Sequence, residues 1–100
     1  MHVIRVTGEF DMHACERFRD VSDRDDAELV VVDLRRTTFL DSSGLSELIR
    51  LQRQTSATGS RLAILRPEGA ADMIFRLTGI DVHLPLYDDR VPLLAEFNIG

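Results

Sequence analysis

The sequence predicts a small α/β domain in which helices pack on a small mixed, mostly parallel sheet. Apolar runs of strand length alternate with helical patterns along the 100 residues, an order that is typical of parallel sheets. Residues 29–34 are apolar on both faces, as expected of a buried central strand. A hydrophobic fraction of 44% and a charged fraction of 29% are ordinary for a globular chain. We therefore expect one domain that spans residues 1–100.

The first predicted strand covers residues 3–7, and a predicted turn at Gly8 and Glu9 follows it. The alternation of the strand places Ile4 and Val6 on one face. The strand and turn lead directly to the first helix, so the chain begins with a strand–helix unit of the kind found in parallel sheets.

The first predicted helix runs from Met12 to about Val21, with Asp11 as its N-cap. Its apolar side consists of Ala14, Cys15, Phe18 and Val21. Cys15 is the only cysteine, which excludes an internal disulfide, and its apolar surroundings indicate a small core residue rather than a reactive thiol. The acidic loop 22–26 then leads to the central strand.

The second predicted helix includes residues 45–56 and ends at Gly59. Its apolar side consists of Leu45, Leu48, Ile49 and Leu51. Glu47 is expected on the opposite, solvent side. Residues 61–65 form the third predicted strand.

The remainder of the chain is predicted to contain a third helix, a short strand and a final helix. Pro67 is suited to the first turn of the third helix, which runs to Leu77 and ends at residues 78–80. The short strand is predicted at residues 82–84. The final helix begins at Asp88 or Asp89, and its apolar residues are Leu93, Leu94 and Phe97.

The most informative stretch is residues 38–45, Thr-Phe-Leu-Asp-Ser-Ser-Gly-Leu, between the central strand and the second helix. Ser42 and Ser43 fall where the first backbone N–H groups of a helix have no intrahelical partner. Such a helix start favours anions, including a phosphate carried by a serine. The simpler interpretation is that one serine is only the N-cap. Neither serine has Glu or Gln three residues later, so capping does not account for both.

Charge and residue usage exclude several classes of function. The net charge of −5 argues against a nucleic-acid partner. All 12 basic residues are arginine, which removes any mechanism that needs a lysine nucleophile or a phosphate-binding lysine. No apolar run approaches the roughly 20 residues of a membrane helix, and the first residues lack the apolar core of a signal peptide. We expect a cytoplasmic protein with no membrane or nucleic-acid partner.

No arrangement of residues predicts catalysis, a metal site or a cofactor. A nucleophile elbow needs glycine two residues before its serine, where Leu40 stands here. The histidines lack metal-ligand spacing, and a calcium-loop start at residues 23–25 has Ala27 in place of its third ligand. There is also no Gly-rich phosphate loop. We therefore expect a binding module and not an enzyme.

Four segments, taken in order, resemble a STAS domain, and more closely the anti-sigma factor antagonists of bacteria. They are VTGEFD at 6–11, VVVDL at 30–34, FLDSSGL at 39–45 and LTGI at 77–80. The resemblance implies a protein that binds an anti-sigma factor and thereby releases a sigma factor. In that family the anti-sigma factor is an ATP-using serine kinase that phosphorylates the serine after the Asp, here Ser42. A phosphatase removes the phosphate.

The resemblance also implies a partner-binding surface beside Ser42. Asp11 matches the Asp that ends the family's Gly-Glu-Leu-Asp loop, and Ser43 matches a second hydroxyl position. The residues expected to bind the partner are Phe10, Asp11, Met12, His13, Thr38, Leu40, Asp41, Ser43, Gly44, Ser46 and Arg50.

Two other functions are compatible with the resemblance. One is a STAS module of another assembly, such as a lipid transport complex or a stress-sensing scaffold. The other is a nucleotide-binding sensor. In lipid-transporter STAS proteins Thr often replaces the first serine of the motif, so Ser42 favours the antagonist.

The family usually has one more strand before residues 3–7, and this sequence starts too late for it. An uncovered strand edge can pair with another chain, although the charge of Arg5 opposes such pairing. We therefore expect a monomer or weak homodimer. The alternative is that the C-terminal segment of the same chain covers the edge.

Overall fold

The computed structural model describes residues 1–23 and 27–88, without the side chain of Asp81. The predicted final helix lies outside these residues, apart from Asp88. The elements are β1 (His2–Phe10), α1 (Met12–Asp23), β2 (Leu29–Leu40), α2 (Ser42–Thr58), β3 (Arg61–Leu65), α3 (Ala70–Thr78), a 3₁₀ turn (Ile80–Val82) and β4 (Leu86–Tyr87).

The described strands form one sheet in the order β1-β2-β3-β4, and all three pairings are parallel. This confirms the predicted α/β class. The pairing of β1 with β2 runs from His2 opposite Val30 to Phe10 opposite Leu40. The pairing of β2 with β3 stops at Asp33. β1 and β2 therefore continue past β3 as a two-stranded ribbon.

Both faces of β2 are buried, as its apolar run predicts. Val32 and Leu34 belong to the main core, to which the helices contribute Phe18, Leu48 and Phe75. Val31 lies in a second cluster on the other face, together with Leu29, Ala63 and Leu65. Because β2 has strands on both sides and packing on both faces, it is the centre of the fold.

β1 is longer than predicted, because residues 8 and 9 do not form a turn. The strand continues through Gly8 and Glu9 to Phe10. Two register shifts, between Arg5 and Thr7 and between Gly8 and Glu9, take up the irregularity. Gly8 adopts φ +84°, which glycine alone tolerates readily. Among the described residues, β1 lies at the edge of the sheet. Pairing of this edge with a second copy of the chain therefore stays a prediction.

The prediction that Glu47 faces solvent is wrong. Glu47 is buried, and its carboxylate accepts hydrogen bonds from Arg19 Nε at 3.0 Å and Arg19 Nη2 at 2.7 Å. Arg50, on the same helix as Glu47, is a second cation at this carboxylate, with its Nε 3.2 Å from Glu47 Oε2. Hydrogen bonding from Arg19 lowers the pKa of Glu47 despite its burial. Helical periodicity alone did not reveal that α1 supplies a cation here.

The buried side of α1 also differs from the prediction at its end. Val21 is exposed, whereas Ser22 is buried and donates from its hydroxyl to the Arg19 carbonyl at 3.2 Å. Phe18 is buried as predicted, so the core face turns away from Val21 only in the last turn of the helix.

Three predictions for the second half also need correction. Pro67 is not in a helix, since α3 begins at Ala70 after Gly69, whose φ is +64°. Residues 82–84 do not form a strand, because a 3₁₀ turn occupies Ile80–Val82. The fourth strand is Leu86–Tyr87, after Pro85 instead of before it. A proline lacks the N–H that a ladder requires, and this favours pairing beyond it.

Asp33 is the most deeply buried acid of the sheet, with 2% of its surface exposed. Its carboxylate accepts hydrogen bonds from Arg35 Nε at 3.0 Å and Arg35 Nη2 at 2.9 Å. Arg5 on β1 adds a longer contact, Nε to Oδ2 at 3.4 Å. The hydrogen bond from Arg35 is the main cause that lowers the pKa of Asp33 from 3.8 to about 2.

We predict that Asp33 makes folding sensitive to acid. A lowered carboxyl pKa stabilises the fold above the unfolded pKa, and that stability is lost as pH falls from about 4 through about 2. The shift corresponds to about 2 kcal/mol. Urea unfolding across this range should show a shallower acid dependence for Asp33→Asn than for wild type. Asp20→Asn, at an exposed position on α1, should keep the wild-type slope; equal slopes for all three proteins would contradict the prediction.

Candidate functional site

Two helix starts lie side by side at the carboxyl end of the β1–β2 ribbon. Phe10 and Leu40 are paired as the last residues of their strands, and Asp11 and Asp41 follow them. α1 begins at the next residue after Asp11, and α2 at the next residue after Asp41. Ligands of parallel α/β proteins meet this end of the strands. We call the exposed and half-buried residues 11–13, 38, 39, 41–43 and 46 the helix-start surface.

Each helix is capped by its aspartate. Asp11 Oδ1 accepts hydrogen bonds from the backbone N–H of His13 at 3.0 Å and of Ala14 at 3.2 Å, as predicted. Asp41 Oδ1 accepts one from the N–H of Gly44 at 3.1 Å, with Asp41 in an extended conformation. The interpretation of Ser42 or Ser43 as the N-cap is therefore wrong. Asp and Ser are equally good caps, and here the extended residue is the aspartate.

With Asp41 as the cap, Ser42 and Ser43 occupy the first two positions of α2. Ser42 is exposed and Ser43 is half-buried. Within residues 1–23 and 27–88, neither hydroxyl forms a hydrogen bond. The first intrahelical bond is donated by the N–H of Leu45 to the Asp41 carbonyl at 3.0 Å. The serine hydroxyls are thus accessible beside backbone donors that attract negative charge.

Gly44 lets α2 approach the strand ends closely. A Cβ atom at this position would lie 2.5 Å from the carbonyl oxygen of Phe10 and 2.7 Å from Leu40 Cδ1. Phe10 is fully buried and its ring packs on Phe18 at a centroid distance of 4.9 Å. The start of α2, and with it Ser42, is held against the buried core.

The other predicted partner-binding residues divide into an exposed and an unexposed group. Met12, His13, Thr38 and Ser46 are exposed on the helix-start surface. The side chains of Phe10 and Leu40 are buried in the main core, so they shape the surface from below.

Arg50 lies two turns along α2 and is engaged with other residues. Its Nη1 is 3.1 Å from Asp23 Oδ1 and its Nη2 is 3.1 Å from Ser22 Oγ. These two bonds fasten α1 to α2, and a third bond joins Arg50 to Glu47 within α2. Arg50 therefore supports both helix starts from a distance.

Sequence reasoning missed Phe39, which is 50% exposed. Met12 is 68% exposed and belongs to the same surface. Large exposed apolar side chains at a loop cluster are typical of interaction sites. Strand alternation contains the signal, because an inward Leu40 turns Phe39 outward. The helix-start surface therefore combines two apolar side chains, two capping carboxylates and three serines.

The described residues contain no group of three or more His, Cys, Asp or Glu side chains able to hold a metal ion. Cys15 packs against the main core. Burial, followed by the charges of Glu47 and Asp41, raises the pKa of the Cys15 thiol, which disfavours a nucleophilic thiolate. Among the described helices, none has the length and apolar character needed to span a bilayer.

Comparison with known proteins identifies relatives of the whole described fold. The model of the family described as "Mlab, STAS domain" matches residues 1–88. An anti-sigma F factor antagonist of Paenibacillus polymyxa is 26% identical over 101 residues, covering 97% of this chain and 86% of that protein.

Solved structures give the same result for the fold. An anti-sigma factor antagonist from Mycobacterium paratuberculosis superposes with a TM-score of 0.82 at 26% identity, covering 97% of this chain and 85% of the other. A sulfate transporter family protein from Wolinella succinogenes gives a TM-score of 0.76 at 18% identity, covering 95% and 82%. The second match shows that proteins of different function share this fold.

We predict that Gly44→Ala destabilises the protein by about 1–3 kcal/mol, because the added methyl group meets backbone and core atoms. Alanine has the higher helix propensity, by about 1 kcal/mol, so a net loss of stability would show that the packing cost exceeds this gain. Urea denaturation measures it. Ser56→Ala, on the exposed side of the same helix, should stay within about 0.5 kcal/mol of wild type. A Gly44→Ala variant as stable as wild type would show that the close approach is not required.

Proposed function

This chain belongs to the STAS domain family, and we propose that it is an anti-sigma factor antagonist controlled by phosphorylation of Ser42. In this proposal the unphosphorylated helix-start surface binds an anti-sigma factor in the cytoplasm and so releases a sigma factor. The partner is also the serine kinase that inactivates it, and a phosphatase restores it. The names of the curated relative and of the Mycobacterium structure support the antagonist role.

The observation that carries the proposal is the cap of α2. Because Asp41 accepts the hydrogen bond from the Gly44 N–H, the fold does not need the Ser42 hydroxyl. A kinase can therefore transfer a phosphoryl group from ATP to Ser42 Oγ without removing a structural contact. The helix start also favours the added charge, since its backbone donors and dipole attract anions.

Phosphorylation acts on the interface rather than on the fold. The phosphate adds about −1.5 to −2 charges at neutral pH. Asp41 is adjacent in sequence and Asp11 caps the neighbouring helix, so the surface would become strongly negative. A partner that docks against a neutral serine on the helix-start surface would lose affinity through charge repulsion and desolvation of the phosphate.

We predict that Ser42→Ala abolishes phosphorylation and keeps partner binding, whereas Ser42→Asp weakens binding at least about tenfold, or about 1.4 kcal/mol. The purified chain is incubated with candidate kinase anti-sigma factors and ATP. Mass spectrometry then locates the phosphate, and calorimetry measures the affinity. Ser43→Ala is the matched control and should still be phosphorylated. A phosphate found only on Ser43 would show that Ser42 is not the phosphorylated residue.

We predict that the apolar part of the surface supplies much of the affinity. Phe39→Ala and Met12→Ala should each weaken anti-sigma factor binding by about 1–2 kcal/mol, as expected for exposed anchors that become buried in a complex. Leu77→Ala is the control, because Leu77 is 79% exposed on α3 and should not matter. Equal losses for Leu77 and Phe39 would place the interface elsewhere.

Two polar variants of the helix-start surface distinguish a direct contact with the partner from an effect of helix capping. Ser46→Ala tests a contact directly, since Ser46 is exposed and caps nothing. Asp11→Ala also removes the cap of α1, at about 1 kcal/mol of stability, so its binding is compared at a temperature where it is fully folded. If neither variant changes the affinity, the surface does not extend to the polar residues.

The same experiments distinguish the antagonist from a STAS module of another assembly. The match to the sulfate transporter family protein shows that the fold alone does not decide between them. If the protein binds no anti-sigma factor and is not phosphorylated at Ser42, it is a STAS module of another assembly.

A further inference from the structure

Three arginines surround one buried carboxylate away from the helix-start surface. Arg5, Arg35 and Arg36 line a half-open cavity of about 340 Å³ together with Asp33. Asp33 accepts hydrogen bonds from Arg35 and, at longer distance, from Arg5. These bonds orient the two guanidinium groups toward the buried carboxylate. Arginine in a fixed position is the residue best suited to recognise planar or tetrahedral oxyanions.

Positive charge predominates among the described residues of this cavity. Three guanidinium groups and one carboxylate line it, in a chain whose net charge is −5. Like charges this close repel one another. A bound anion would reduce the repulsion.

A neighbouring cavity provides a comparison within the same molecule. It has about 360 Å³ and shares Arg35, with Arg66 and Arg76 as its other cations. Both of these arginines donate to Asp72 from Nε at 2.8 Å, and Glu68 and Asp88 also line this cavity. Here the acids equal the arginines in number. This second cavity therefore has no such predominance of positive charge among its described lining residues.

The cavity has donors to offer an anion. Arg5 contacts Asp33 through Nε only, so its two Nη groups are not used in that pair. In the described parts of the chain, the Arg36 guanidinium has no hydrogen-bond or ion-pair partner. The described lining residues are all charged and include no aromatic ring on which a nucleobase would stack. The chemistry therefore favours a small anion or an anionic group over a nucleotide base.

This cavity is separate from the phosphorylation site proposed above. Asp33 lies seven residues before Leu40 along β2, which is about 23 Å at about 3.3 Å per residue. It lies level with the end of β3, since Asp33 pairs with Leu65. Loops at the carboxyl ends of parallel strands are where such folds bind ligands.

We propose that the cavity of Arg5, Asp33, Arg35 and Arg36 binds a doubly charged phosphate group, either free phosphate or the phosphate of a small organic monoester. Arg36 and the Nη groups of Arg5 donate to the phosphate oxygens. Arg35 adds a fixed charge beside them, and Asp33 keeps Arg35 and Arg5 oriented. The half-open mouth leaves room for the organic part of an ester.

Calorimetric titration of the full chain tests the proposal with potassium phosphate, glycerol 3-phosphate and potassium chloride at matched ionic strength. We expect saturable binding of one phosphate per chain and none of chloride. Arg36→Gln should weaken phosphate binding about ten- to hundredfold, since a hydrogen bond to a charged group contributes about 1.5–3 kcal/mol. Arg53→Gln, an exposed arginine on α2, is the control and should bind as wild type.

The source of the phosphate follows from comparing the probes. Tighter binding of glycerol 3-phosphate identifies an organic ester as the preferred ligand, and tighter binding of inorganic phosphate identifies the free ion. Arg5→Gln provides a second variant with an expected loss in the same direction. Absence of saturable phosphate binding to wild type would overturn the proposal, as would equal losses for Arg53→Gln and Arg36→Gln.

Discussion

The parallel pairing of β1 with β2 is the interaction on which the rest of this structure depends. It continues past β3 and ends with Phe10 opposite Leu40. Since each strand is followed at once by an aspartate and a helix, the pairing places two helix starts next to each other. The register shifts in β1 allow this irregular strand to stay paired with β2 up to this point. The geometry of the candidate site is thus a result of strand register rather than of loop structure.

The two helices are then fastened to one another by a buried ionic contact. Glu47 on α2 receives both Arg19 of α1 and Arg50 of its own helix. A buried ion pair is weak evidence for stability, because desolvation offsets much of the attraction. It does specify which turn of α1 lies against which turn of α2. The sheet therefore sets where the helices begin, and this contact sets how they lie beyond their first turns.

Much of the fold could be predicted from the sequence, because strand and helix periodicity is strong in residues 29–34 and 45–56. The failures have physical causes. Glu47 was misplaced because a partner cation on another helix cannot be seen in a local pattern. The cap of α2 was ambiguous because Asp and Ser both cap well. Phe39 was overlooked because β2 continues to Leu40 beyond its apolar run. Phosphorylation of Ser42 and the identity of the partner remain predictions, since neither is a property of the isolated fold.

The division of roles within the Asp-Ser-Ser-Gly segment has a consequence for how such proteins diversify. Asp41 is committed to the cap and Gly44 to close packing, whereas the fold requires neither hydroxyl between them. Evolution can therefore exchange the residues at positions 42 and 43 with little folding cost. A lineage could acquire, lose or move a regulatory modification there while it inherits the same scaffold. The two outer positions keep the architecture constant, and the two inner positions are where its regulation can change.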